Sequence, residues 1–129
     1  MDKKETSTYL SKSLFIRGLQ CHKSLYLHKY QPELRDEISE EQEALFQTGL
    51  EVGKYAQQLF PGGVEIPYDE TSHEAQIEKT HAEIKKGTKT IYEAAFNYDD
   101  IFVKVDILHN DDEGWNIYEV KSGDVLKYL

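Results

Sequence analysis

The feature that most constrains this chain is a pair of β-prone runs separated by a short polar loop. Residues 101–108 read Ile-Phe-Val-Lys-Val-Asp-Ile-Leu, and residues 115–121 read Trp-Asn-Ile-Tyr-Glu-Val-Lys. The intervening His-Asn-Asp-Asp-Glu-Gly is a Gly-ended loop of the kind that closes a hairpin. Strand side chains alternate between faces. Ile101, Val103, Val105 and Ile107 are therefore expected on a core face, and Phe102, Lys104, Asp106 and Leu108 on the other. A hairpin symmetric about its loop sets Asp106 opposite Ile117, with Glu119 one diagonal step away. Residues 90–96, Thr-Ile-Tyr-Glu-Ala-Ala-Phe, read as a preceding strand with its turn at 97–100, so that Glu93 faces Lys104. On this register Glu93, Asp106, Glu119 and Lys121 share one face, an arrangement that a one-residue slip or a bulge would break.

Three carboxylates on one face repel each other unless protein cations or a bound metal offset the repulsion. Hard oxygen donors suit magnesium, manganese or calcium. From spacing alone, a salt-bridged surface is the better reading, with Asp106 paired to Lys104 or Lys121 and Glu93 to Lys104. Such exposed pairs contribute roughly 0–1 kcal/mol each.

The chain before residue 88 reads as helical. A first helix is expected over 12–30, capped by Ser11 or Ser13, with Leu14, Phe15, Gly18, Leu19, Cys21, Leu25 and Leu27 on a broad apolar face. Cys21 in that face reads as a small buried thiol. Gln31-Pro32 ends the helix. A second helix starts at Ser39, with acids in its first turn to complement the helix dipole. Its small residues Gly49, Gly53 and Ala56 suggest close approach of another backbone. It stops at Phe60-Pro61-Gly62-Gly63, a turn without phosphate-loop context. Residues 64–67 read as a short extended segment. A polar third helix over 72–86 has a thin stripe of Ile77, Thr80, His81 and Ile84, with Gly87 as its stop; the lone histidines His73 and His81 read as solvent-facing. The expected fold is a single α/β domain in α+β order: a helical part over 1–87 and a three-stranded antiparallel meander over 88–129.

The net charge of -9 argues against nucleic acid as a partner, yet the charge is unevenly spread. Residues 1–30 carry six Lys/Arg against two Asp/Glu, and the rest of the chain carries nine against twenty-two. Lys12, Arg17 and Lys23 either meet phosphates or, with Lys29, solvate a helix face. A single cysteine excludes an internal disulfide and fits a reducing compartment. With no apolar signal core and no membrane-spanning run, the expectation is a cytoplasmic protein without a membrane partner.

Asp106, twelve intervening residues, then Glu119-Val120-Lys121 resembles the active-site motif of the PD-(D/E)XK nuclease superfamily. Residues 9–27, with a serine opening the helix and Cys21 ahead of an aromatic–leucine step, look like the first helix of its RecB-type and CRISPR-associated exonuclease-like members. The strands around Glu93, Asp106 and Glu119 are similar to their catalytic meander. The likeness extends to the N-terminal part of a group of bacterial proteins. It implies a restriction-endonuclease-like core and a divalent-metal-dependent DNA nuclease, acting in DNA repair or foreign-DNA processing on single strands or duplex ends. It also implies roles: Asp106, Glu119 and the Val120 carbonyl hold Mg2+ or Mn2+, Lys121 orients the attacking water, and Glu93 is an auxiliary catalytic acid. Cys21 takes the position of an iron–sulfur ligand in some relatives, although the three C-terminal cysteines are missing. Two further departures stand out. Gly53 replaces a metal-binding histidine four residues after Gly49, and the chain stops eight residues past Lys121. The expectation is therefore an incomplete fold, the N-terminal domain of a longer protein, with its oligomeric state open. The alternative is a degenerate nuclease fold that serves as a binding or assembly module.

Overall fold

The computed structural model describes residues 10–67 and 72–122. The polar opening segment, Tyr9 of the resembling stretch and the chain end at 123–129 lie outside the described residues. The chain is mixed α and β, in broad agreement with the expected α+β order, and it divides into two compact units. One comprises Met1–Glu37 with Phe96–Val103, the other Ile38–Ala95 with Lys104–Leu129.

In the first unit, β1 (Leu10–Ser11) lies parallel to the start of β4 (Ile101–Asn110), pairing Leu10 with Ile101 and Ser11 with Phe102. Ser11 then caps α1 (Lys12–Gln20), its Oγ accepting from the Leu14 N–H at 3.2 Å. The single helix expected over 12–30 is instead two. Cys21 adopts an extended conformation (φ -160°, ψ 110°), and α2 (His22–Tyr30) starts beyond it. Gly18 gives the physical reason. A Cβ there would stand 2.7 Å from Leu25 Cδ2. A straight helix would hold residues seven apart roughly 10 Å apart along its axis, so only a break lets Leu25 close on Gly18. Cys21 is exposed at that break, not buried as its helical spacing implies. α2 ends ahead of Pro32, which opens a single 3-10 turn, Pro32–Leu34. A two-residue turn at Asp99 and Asp100, with φ of 49° and 63°, links β3 (Thr90–Tyr98) to β4. Tyr98 is thus strand, not turn, because two left-handed residues match the twist of a tight hairpin.

In the second unit, Ser39 and Gln42 form a reciprocal capping box at the start of α3 (Glu40–Gln57), with Glu40, Glu41 and Glu43 in the first turn. The far end of α3 is tied to β3 through Tyr92. Its hydroxyl donates to the Phe60 carbonyl and accepts from the Gly63 N–H at 3.1 Å, and its ring occupies the space a Cβ on Gly63 would need. β2 (Val64–Glu65) then runs parallel to β3, pairing Val64 with Ile91 and Glu65 with Tyr92. The meander expected to be wholly antiparallel is therefore a mixed sheet. Ser72 caps α4 (His73–Lys86), and Gly87 closes it in the left-handed conformation, φ 88°. Gln76, Ile77 and Thr80 are its buried residues, whereas His81 is exposed. Thr80 Oγ1 accepts from the Ala95 N–H at 2.9 Å, which joins α4 to β3. Ile66, Ile77, Ile91, Tyr92, Ala94, Ala95, Val105, Ile107 and Leu108 form the core of this unit.

β5 (Trp115–Tyr118) pairs antiparallel with β4, but Ile117 opposes Leu108, not Asp106. The loop is shorter than expected. Asp111 Oδ1 accepts from the N–H groups of Glu113 and Gly114, at 3.0 and 3.2 Å, and this tight turn lets His109 and Asn110 join the strand. The shift of two residues preserves which side chains share a face. Among the described residues, no helix is long and apolar enough to cross a membrane.

Candidate functional site

A cleft of about 230 Å³ opens in the second unit. One wall is α3, through Gly49, Leu50, Gly53, Lys54 and Gln57, and the other comes from β2, β3 and β4. Three carboxylates line it: Glu65, Glu93 and Asp106, each from a different strand. Gly49 and Gly53 do not receive a packed backbone, as their spacing suggests. No described atom lies within 4 Å of a Cβ built on either, and the two glycines instead keep this wall of the cleft low.

Glu93 is perturbed in both backbone and charge. Its φ of 57° is unusual for a residue with a side chain and interrupts the regular alternation of β3, where Ala94 and Ala95 are both buried. Its carboxyl is held above the ordinary glutamate range, first by burial and then by the nearby charges of Asp106 and Glu65; Lys104 opposes the shift. The expected approach of Glu93 and Lys104 is present, with Lys104 Nζ 3.7 Å from Glu93 Oε2.

Asp106 is fixed from the other side. The β4–β5 ladder stops at Tyr118, and the Val120 N–H turns to donate to Asp106 Oδ2 at 2.7 Å. This bond brings Val120 to the cleft. Glu119 and Lys121 are not part of the lining. They form a solvent-exposed ion pair, Nζ to Oε1 3.1 Å, with Lys121 77% exposed and Glu119 47% exposed. The structure thus gathers Glu93, Asp106 and Val120 from the expected set and places Glu119 and Lys121 outside the cleft. It adds Glu65, Lys54 and Gln57. Glu65 carried a sequence signal, since it is the one acid between Val64 and Ile66 in an extended segment. Lys54 and Gln57 had none, because their place depends on which face α3 turns to the sheet. The expected nucleic-acid residues Lys12, Arg17 and Lys23 belong to the first unit, on α1 and α2.

The donor chemistry of the cleft suits a hard divalent cation: carboxylate oxygens, with Glu93 pushed up by burial and then by its acidic neighbours. Among the described residues, no three His, Cys, Asp or Glu side chains are grouped as closely as a bound ion requires. The carboxylates are therefore gathered in one cleft without being closed on one point. An iron–sulfur cluster usually takes four cysteines, and Cys21 is the only one among these 129 residues, so a cluster on Cys21 would need ligands from outside them. Comparison with family models, with curated proteins and with solved structures finds no match.

Proposed function

We propose that the cleft of the second unit is the site of a divalent-metal-dependent nuclease that hydrolyses phosphodiester bonds in DNA, built on a restriction-endonuclease-like core. The observation that carries this reading is the convergence of Glu65, Glu93 and Asp106, from three strands, on one cleft that also holds Lys54. Mg2+ or Mn2+ would supply, when bound, a Lewis acid for the phosphate and a bound water more acidic than bulk water. Asp106 and Glu93 would hold the ion, with Glu65 beside them. The Val120 N–H occupies one oxygen of Asp106 and so orients the carboxylate before any ligand arrives. Lys54 offers a cation to a phosphate entering the cleft. Lys121 would act as expected only after leaving Glu119. DNA repair or foreign-DNA processing in the cytoplasm is the setting this chemistry suits.

One observation favours the second reading, a nuclease-like fold retained for binding or assembly. Glu119 and Lys121 neutralise each other outside the cleft and leave it without two of its expected catalytic groups. Calorimetric titration of Mn2+ into the wild type, Asp106→Asn and Glu93→Gln separates the two. The nuclease reading expects saturable binding that both substitutions weaken at least tenfold. It also expects metal-dependent cleavage of single-stranded DNA or duplex ends by the full-length protein. Weak binding that neither substitution changes would leave the second reading standing.

A further inference from the structure

A second cleft, of about 310 Å³, lies wholly within the first unit and is lined by α2, the turn that follows it and Arg17 of α1. Among the described residues its lining contains Arg17, Lys23 and Arg35 and no carboxylate. That is a local reversal of charge in a chain of net charge -9. Among the described residues, none of these three cations forms an ion pair with a carboxylate. Their partners are neutral. Arg17 Nη1 donates to Ser24 Oγ at 3.1 Å, and Arg35 Nη2 lies 2.7 Å from His28 Nδ1. Burial, then Arg35 and Arg17, lower the proton affinity of His28, which favours a ring nitrogen that accepts from Arg35, whose guanidinium can only donate. Among the described residues both guanidinium groups are thus held by neutral partners and not by a carboxylate, and each has further N–H donors. The same lining includes the apolar side chains of Leu27, Pro32 and Leu34.

Arginine forks match phosphate oxygens in a bidentate geometry, and an apolar wall covers the face of a planar ring. The volume is at the lower end of the roughly 300–1,000 Å³ of small-ligand sites, which fits one nucleotide and excludes a duplex. We propose that this cleft binds a nucleoside monophosphate, with Arg17 and Arg35 on the phosphate and Leu27 and Leu34 against the base. The nucleotide is either free or the terminal residue of a phosphorylated single strand. The inference does not rest on the nuclease reading.

The test is calorimetric titration of AMP, adenosine, inorganic phosphate and a terminally phosphorylated single-stranded oligonucleotide into the full chain without divalent metal. AMP is expected to saturate one site and to bind at least tenfold more tightly than adenosine or phosphate. Arg17→Gln and Arg35→Gln each weaken it at least tenfold, with circular dichroism unchanged. Leu34→Ser, at a residue already 64% exposed, weakens AMP but not phosphate. Asp106→Asn in the other unit leaves AMP binding intact, so failure here and failure of the metal site are distinguishable. Tighter binding of the oligonucleotide than of AMP assigns the site to a strand end, and the reverse order assigns it to a free nucleotide. AMP binding no tighter than adenosine or phosphate, or unchanged in both arginine variants, overturns the proposal.

Discussion

Alanine at Gly49 and Gly53 distinguishes a helix that packs against a backbone from one that borders an open cleft. Both glycines lie inside the 18-residue α3, and neither has a positive φ. With no described atom within 4 Å of an added Cβ, the substitutions meet no steric cost. What remains is the backbone entropy of glycine, which disfavours a helix interior by about 1 kcal/mol relative to alanine. The double variant should therefore gain about 2 kcal/mol, less any cooperativity between neighbouring turns. For a chain of this size that corresponds to a rise in Tm of about 8 °C. Thermal melting followed by circular dichroism, with urea midpoints as a second measure, reads the change. A loss of stability in either single variant would refute the reasoning, since it would mean that a backbone packs on α3 where the structure shows open space. Gly53→Leu adds a second arm. Its side chain projects into a cleft of about 230 Å³, so it should fold while weakening Mn2+ binding at least tenfold.

Two more outcomes follow from the same unit. The Glu93 carboxyl is raised in the folded chain, so its ionisation opposes folding as pH climbs through and above the unfolded glutamate value. Glu93→Gln should be more stable than the wild type at pH 7 and lose that advantage below the unfolded value, and urea titrations at pH 7 and pH 3.5 would show whether the gap closes. Thr80→Val removes the only side-chain partner of the buried Ala95 N–H among the described residues. It should cost about 1–3 kcal/mol, and an unchanged urea midpoint would mean that the N–H finds another acceptor.

Local signals in the chain decided the local structure. Ser11, Ser39 and Ser72 each precede a helix and each accepts a backbone N–H near its start, because a short hydroxyl side chain satisfies donors that the first turn leaves open. Gly87 ends α4, and Asp111 with Gly114 closes the β4–β5 loop, through conformations and hydrogen bonds confined to a few neighbouring residues. The alternation of β4 and β5 survived a register two residues away from the expected one, since a strand repeats every two residues. Asp106 was therefore legible on its face of the sheet, and the approach of Glu93 to Lys104 was legible as well.

What only the tertiary structure decided involves partners far apart in the chain. Cys21 left a helix because Leu25 closes on Gly18, a contact between two helices that residue spacing cannot show. Glu65 joined the acids because β2 runs parallel to β3, a pairing made across the whole of α4. Lys54 faced them because Tyr92 ties the end of α3 to the sheet. Glu119 and Lys121 parted from the cleft because the Val120 N–H chose the Asp106 carboxylate in place of a strand carbonyl, and the alternation that would have kept all four groups on one face ended there.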